Sequence, residues 1–453
     1  MQQLKQKNKQ LNPAAVISIS FLVIIIIGAF LLTMPFSSAE HKFTNPLTAF
    51  FTATSATCVT GLVIEDTGSY WSIAGQIIIL LMIQIGGLGL VTFTSFFNFL
   101  LRKKPELHTI QVASESVNTS GFYDVKYMVK YILAISFICE IIGAMLLSVS
   151  YIPKFGAKGI YIAVYLSIAA FCNAGFDVMG MVAEPFSSVT TLSRDPITVI
   201  VLPIMIIAGG LGFIVWTNFI DYRKKKKLAF QSKLVLITTA ILIGAGLLAT
   251  LITEWNNPHT LKDTSFLYKF GNSFFQSVTM RTAGFNSIDI ENMTPMMKIF
   301  SIFFMFIGAA PGSTGGGIKL TTIAIILMTI LSVLSGRSDT IAMGRKIEHD
   351  VVYKAISVCF IFAFLIIFSS ITIYNLNPGI TGIDAAFEVT SAISTTGLSV
   401  GVTAKCNTLS RVILIIIMFI GRVGPVSLAL GISLNNKHNN KNEICPVGKV
   451  MVG

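Results

Sequence analysis

Charged side chains are scarce in this sequence: Asp, Glu, Lys and Arg make up 12% of its 453 residues, against about a quarter in a soluble domain. No polar stretch is long enough to fold as a separate soluble unit, which leaves only loops and tails outside a bilayer. Histidine is nearly absent. His41, His108, His259, His349 and His438 all fall in loops or near the ends of apolar runs, with no metal-ligand spacing, and no catalytic constellation accompanies them. The six cysteines, Cys58, Cys139, Cys172, Cys359, Cys406 and Cys445, contain no CxxC pair and read as reduced small apolar residues rather than as a disulfide framework. These absences exclude a resident metal or other cofactor in the chain, a disulfide scaffold and an enzyme of any common hydrolytic type.

What is present is apolar. Hydrophobic residues make up 53% of the chain and the mean hydropathy is +0.76. Long apolar runs lie near 14–34, 75–100, 128–150, 197–220, 234–252, 296–331, 351–374 and 409–434. Each is long enough to cross a hydrocarbon core of ~30 Å, which takes ~20 helical residues. Eight spans predict an all-α, multi-pass membrane protein with both termini on one side. The first run is too long for a signal-peptide core and has no small-residue cleavage site, so a retained helix is expected, opened by Asn12-Pro13.

The formal charge of +12 could suggest nucleic acid, but its distribution argues for a membrane. The amino terminus, the 101–130, 221–233 and 335–354 loops and the tail hold 21 of the 33 Lys and Arg residues, and the opposite side holds 9. The positive-inside rule then puts both termini in the cytoplasm. Acids lean outward, with 12 on the other face, which would draw cations toward it. The basic run Arg223–Lys227 fits an anchor at anionic lipid headgroups or a contact with an acidic partner surface.

Four glycines carry the organisation. Gly61, Gly175, Gly284 and Gly397 are spaced 114, 109 and 113 residues apart, each between a short half-apolar segment and a long apolar run. The short segments, near 48–57, 159–172, 268–281 and 383–394, cannot cross a bilayer and read as re-entrant helices. Shifting the chain by 336 residues superposes Thr54-Ser55-Ala56 on Thr390-Ser391-Ala392 and Thr60-Gly61-Leu62 on Thr396-Gly397-Leu398. The expected units are 13–101, 127–222, 233–335 and 350–434, flanked by an amino-terminal segment 1–12 and a tail 435–453. Each has an even number of full spans, so the four share one orientation, around an axis along the membrane normal. The inverted repeats of many rocking symporters are disfavoured, though a cation symporter stays open as the alternative.

Non-helical backbone at membrane depth is tolerated only where protein or water surrounds it. Four such turns meeting on an axis would present rings of carbonyls, which can replace the hydration shell of a potassium ion. The candidate ion-binding residues are Thr57, Cys58, Val59, Thr60 and Gly61; Cys172, Asn173, Ala174 and Gly175; Arg281, Thr282, Ala283 and Gly284; and Ser394, Thr395, Thr396 and Gly397. Unequal neighbours beside each glycine predict a ring that is only pseudo-fourfold. Arg281 is expected to brace its turn from behind, since a cation facing the lumen would oppose cation passage.

The segment 308–320 interrupts what would be one span with five glycines and a proline, each costing ~1 and ~3 kcal/mol in a helix interior. It reads as a gating loop built on Gly308, Pro311, Gly312, Ser313, Thr314, Gly315, Gly316, Gly317 and Lys319, against a bland alternative of a helix kink. Its likeness to a P-loop fails on residue order. The other copies, "GGLGL", "GGLGF" and "GRVGP", look less disturbed. Arg422, midway along the last run, is expected to face the lumen beside that loop, with pairing to Glu140 as the alternative. Glu140, an acid within a span, is expected to pair with an interior cation. The apolar tip of the tail could dock into a dimer or partner groove.

The four glycines, "GAAPGSTGGGIK" and "GRVGP" together resemble the Trk/Ktr/HKT superfamily of potassium transporters, in particular its Ktr-type membrane subunits, over essentially the whole chain. The resemblance implies four helix–pore-loop–helix repeats with eight transmembrane helices and four re-entrant pore helices around one potassium pathway, in the plasma membrane of a bacterium. It also implies a homodimer, an intramembrane gating loop at 308–320, an arginine at the place of Arg422, stimulation by sodium, and regulation by a cytoplasmic nucleotide-binding octameric ring of the RCK, KtrA-like type.

Overall fold

The computed structural model describes residues 13–89, 122–262 and 265–424. The expectations for 1–12, for the tail with Cys445 and for the cytoplasmic side of the first unit lie outside them. The helices of more than four residues, in chain order, are α1 (Pro13–Thr33), α2 (Pro46–Cys58), α3 (Ile73–Leu88), α4 (Phe122–Phe155), α5 (Ala157–Phe171), α6 (Pro196–Gly210), α7 (Phe213–Lys225), α8 (Phe230–Glu254), α9 (Phe266–Thr279), α10 (Pro295–Phe306), α11 (Leu320–Leu334), α12 (His349–Leu376), α13 (Gly382–Ile393) and α14 (Thr408–Val423). Between α11 and α12 a two-stranded hairpin pairs β1 (Ile341–Ala342) with β2 (Arg345–Lys346).

The order outer helix, re-entrant helix, inner helix recurs four times, giving an all-α membrane fold. The outer helices α1, α4, α8 and α12 contain the spans 15–33, 129–155, 230–254 and 349–376, whose most apolar windows are only 22–33% buried. So much exposed apolar surface is what lipid covers, because a helix that is hydrophobic all round belongs in a membrane or a core. The re-entrant helices α2, α5, α9 and α13 have 13, 15, 14 and 12 residues, about 18–23 Å at 1.5 Å per residue and too short to span. Two start in well-capped turns: Asn45 accepts from the Leu47 N–H ahead of Pro46, and Thr381 accepts from the Asp384 N–H.

Each re-entrant helix packs against the inner helix of the preceding unit: α5 on α3, α9 on α6, α13 on α10, and α2 back on α14. That last contact closes the ring.

The inner spans depart from expectation. The breaks are not confined to the third copy. The second span bends by 90° between α6 and α7, at Gly212 with φ +86°. Helices α3 and α14 stop at Gly89 and Gly424 in nearly the same conformation (φ +83° and +87°). A positive φ costs glycine little and other residues more, so the last glycine of each "GGLG" and "GRVG" motif ends its helix. What sets the third copy apart is the length of its interruption, from α10 to α11.

Candidate functional site

The four re-entrant helices end in the same backbone pattern. The residue two before each glycine is left-handed (Val59, Asn173, Thr282 and Thr395, φ +51° to +65°), and the glycine itself has φ between +69° and +95°. In three copies the residue before the glycine donates its N–H five residues back: Thr60 to Ser55, Ala174 to Ala169 and Thr396 to Ser391, all at 2.8 Å. In the third, Ala283 donates only four back, to Thr279 at 3.1 Å. The third corner therefore differs in backbone register as well as in side chains.

The glycines meet. A methyl group on Gly61 would lie 2.6 Å from the Ala174 carbonyl oxygen, one on Gly175 2.9 Å from that of Ala283, and one on Gly284 2.6 Å from that of Thr396. One on Gly397 would run into the Thr60 carbonyl and lie 2.9 Å from the Gly61 Cα. Each glycine faces the carbonyl preceding the next, in cyclic order, so no side chain can occupy the centre. Helix C-termini carry partial negative charge, and all four re-entrant helices end here, which favours a cation at the ring.

A cavity of about 680 Å³ opens on one side of the ring and touches all four glycines along with Asp66, Asp177, Glu184 and Glu291. Lys405, on the same wall, is paired with Glu291 at 2.7 Å. Asp66 accepts from the Ser69 N–H and hydroxyl (both 2.8 Å) and from the Phe186 N–H at 2.8 Å, tying the loop of the second unit over the first. Burial pushes the Asp177 carboxyl up to about 6; the Met179 N–H opposes this, Asp66 adds to it and Ser188 opposes it. None of these acids stood out in the sequence, where they were only part of an outward excess of acids.

On the other side of the ring lies the segment 308–319, bonded to the second and fourth units. The Ala310 and Thr314 N–H groups donate to Gly210 and Gly209, Gly312 accepts from the Phe213 N–H, and the Gly317 N–H donates to Gly421. The Thr314 hydroxyl donates to Phe171 O (3.2 Å), the Gly316 N–H to Thr395 Oγ1 (3.0 Å) and Lys319 Nζ back to Gly315 O (2.8 Å). Ser313 donates to the Ala310 carbonyl at 2.6 Å, within the Pro311 turn. A methyl on Gly315 would strike the Thr282 hydroxyl, and Asn173 meets Thr282 at 3.3 Å. The loop therefore presses directly against the left-handed residues of the ring.

Arg422 reaches this loop: its guanidinium donates to the carbonyls of Thr314 and of Gly86, and lies 5.9 Å from the Phe21 ring. The pairing with Glu140 does not occur. Glu140 on α4 instead accepts from Gln84 Nε2 on α3, at 2.9 and 3.2 Å. The expected interior cation partner is replaced by an amide of α3, while Arg422 is taken up by the carbonyls of Thr314 and Gly86. Gln84 also accepts from the Cys172 thiol at 3.4 Å. Arg281 is buried with its Nη2 turned to Thr239 Oγ1 of α8 at 3.4 Å, so its side chain points away from the ring. Thr57, Cys58, Thr60, Ser394 and Thr396 are fully buried at the ends of the first and fourth limbs.

Sequence reasoning also missed why the inner helices carry glycine. A methyl on Gly86, Gly209 or Gly421 would collide with the carbonyl of Thr57, Phe171 or Ile393, the ends of the re-entrant helices. In the third unit the corresponding Gly308 faces Gly316 and Ile318 of the loop instead. The near-constant offset from the filter glycines in three copies, 25, 24 and 24 residues against 34 in the second, was the available signal.

The family model described as "TrkH: Cation transport protein" matches residues 2–442. The chain is 36% identical to the Potassium/sodium uptake protein NtpJ of Enterococcus hirae, covering 99% of both chains. It is 35% identical to the Ktr system potassium uptake protein B of Bacillus subtilis, covering 98% of this chain and 97% of that one. Its fold is similar to the crystal structure of the potassium transporter TrkH from Vibrio parahaemolyticus, with a TM-score of 0.69 at 16% identity, over 95% of this chain and 86% of that one.

Proposed function

The chain belongs to the TrkH family of cation transport proteins, which are transporters and not enzymes, and on that premise we propose that it takes up potassium across the plasma membrane through the ring of Gly61, Gly175, Gly284 and Gly397. The observation that carries this reading is the cyclic contact of each glycine with the carbonyl before the next, which leaves no room for a side chain at these four positions. The names of the Enterococcus hirae and Bacillus subtilis relatives, both potassium uptake proteins, support the choice of ion.

In this reading the cavity of about 680 Å³ is the outer vestibule, both termini are cytoplasmic, and the membrane potential drives entry. The segment 308–319, held by Arg422, closes the pathway beneath the ring. A cytoplasmic nucleotide-binding ring of the RCK type releases it, and two copies of the chain assemble as a homodimer. Sodium acts as an activator, in keeping with the potassium/sodium name of one relative. The test is growth on limiting potassium, and potassium uptake, in cells that lack their own uptake systems, with and without such a ring subunit. Intact protein that moves no potassium in either setting would sink the proposal.

A pH dependence follows from Asp177. With its carboxyl near 6, the group is charged at pH 7 outside and loses that charge as the pH falls through about 6. Losing an attractive charge at the vestibule is expected to raise the KM for potassium roughly two- to fivefold between pH 7 and 5. Asp177→Asn should hold KM near its acid value at both pH values. A wild-type KM that stays flat over this range would contradict the assignment.

A further inference from the structure

Glu388 lies in α13, nine residues before Gly397, and is fully buried. Its carboxylate accepts from the Ser399 hydroxyl (2.7 Å), the Val400 N–H (3.3 Å), the Thr403 N–H (3.0 Å) and the Thr403 hydroxyl. Among the described residues no Lys, Arg or His lies within ion-pair range of it. Two of the partners, the Val400 and Thr403 N–H groups, can only donate, and the Ser399 and Thr403 hydroxyls complete the shell around the carboxyl group. The partners belong to the segment that continues from the ring glycine. Ser399 and Gly401 line the same cavity as Gly397. The fourth limb is therefore gripped on its outer side by Glu388, and on its inner side Thr395 Oγ1 accepts from Gly316.

Among the described residues a carboxylate takes this role in the fourth limb; in the first the Ser55 hydroxyl oxygen accepts from the Gly61 N–H at 3.1 Å, and in the third the Thr279 hydroxyl donates to the Phe285 carbonyl at 2.8 Å. Counting nine residues back from the other glycines gives Thr52, Leu166 and Phe275. Thr52 is buried with no hydrogen-bond partner for its hydroxyl among the described residues. The first limb is also tied through Asp66, from beyond the ring.

We propose that Glu388 is a positioning residue that sets discrimination between potassium and smaller cations, by fixing the outer half of the fourth limb and so the spacing of its carbonyls around the ion. This rests on the reading of the glycine ring as a potassium pathway. A carbonyl ring discriminates only while its oxygens keep their distance; once the strut is lost, the fourth limb can collapse inward on sodium. Buried hydrogen bonds to a charged group are the strong ones, so removing the carboxylate also leaves buried donors unpaired.

The experiment uses the full-length chain in potassium-uptake-deficient cells. It measures the KM for potassium and the inhibition by sodium, with membrane abundance and thermal unfolding as parallel readouts. Glu388→Gln keeps the shape but turns an NH2 toward the donors, and is expected to lower the potassium-over-sodium ratio about tenfold. Ser399→Ala and Thr403→Val, which leave the carboxylate in place, should each lower it about threefold. Thr52→Val, at the same place in the first limb, should leave the ratio unchanged. If the variants accumulate normally and all keep the wild-type ratio, or lose only thermal stability, the proposal is overturned. If Glu388→Gln fails to accumulate, the Ser399 and Thr403 variants decide in the same way. A wild-type chain that moves no potassium would overturn the functional reading instead.

Discussion

Replacing the ring glycines with alanine is expected to abolish selective uptake in a graded order, Gly397 first, then Gly61 and Gly284, with Gly175 the mildest. Two costs combine. Each glycine has φ between +69° and +95°, where a Cβ costs roughly 1–2 kcal/mol. That cost is similar at all four, so it does not set the order. The steric cost does. The added methyl runs into the Thr60 carbonyl at Gly397, sits 2.6 Å from a carbonyl oxygen at Gly61 and Gly284, and 2.9 Å at Gly175. None of these neighbours is a flexible side-chain end that could swing away; each is backbone of the next limb, so relief must come by moving the carbonyls that face the ion. Uptake at low potassium should fall by more than about tenfold for Gly397→Ala and least for Gly175→Ala, since only ~1.4 kcal/mol at the ion separates each factor of ten. Gly244→Ala is the control: on α8 a methyl at that position meets nothing within 4 Å, and alanine favours the helix by up to ~1 kcal/mol. Rates of uptake at matched membrane abundance check the order. Equal effects at all five positions would mean that the glycines serve folding and not the ring.

Much of this arrangement was legible because membrane chains leave few options. A segment of 12–15 apolar residues between two longer ones has nowhere to go but in and back, and a glycine recurring every 109–114 residues in such a chain marks a repeated unit. Gly308–Lys319 was legible for the same reason, since five glycines and a proline defeat a helix whatever surrounds them. The breaks at Gly89, Gly212 and Gly424 were not. A lone glycine in an apolar run is compatible with a continuing helix, and only the approach of a re-entrant helix end onto Gly86, Gly209 and Gly421 shows why the chain must turn there. Glu388 was invisible for a different reason. In sequence it is one of the outward-lying acids, and its value depends on Ser399, Val400 and Thr403 coming back to it around the ring turn. Glu140 was noticed but assigned the wrong partner, because hydropathy places a residue in depth and says nothing about which helix it faces. The depth was compatible with Arg422; in the fold the carboxylate meets Gln84 of α3 instead.

Arg422→Ala is expected to release the loop beneath the ring and raise the maximal rate of uptake, most of all in cells without any cytoplasmic regulatory partner. The guanidinium joins two carbonyls from different units, Thr314 of the loop and Gly86 of α3. Hydrogen bonds to a charged group contribute about 1.5–3 kcal/mol each, so losing both shifts the equilibrium of the loop by at least about a hundredfold. The remaining restraints run to the second and fourth units: Ala310 to Gly210, Phe213 to Gly312, Thr314 to Gly209 and Phe171, Gly317 to Gly421 and Gly316 to Thr395; they keep the loop in place but lack the tie to the first unit that Arg422 makes through Gly86. The same residue also places a fixed positive charge in the pathway, and the two roles separate in Arg422→Lys. Lysine keeps the charge but is a point donor that cannot fork between two carbonyls. If the latch dominates, Lys and Ala behave alike, both raising the rate; if the charge barrier dominates, only Ala does. Potassium uptake rates at saturating potassium, at equal protein in the membrane, distinguish these outcomes, and a rate unchanged in both variants would remove Arg422 from the gate.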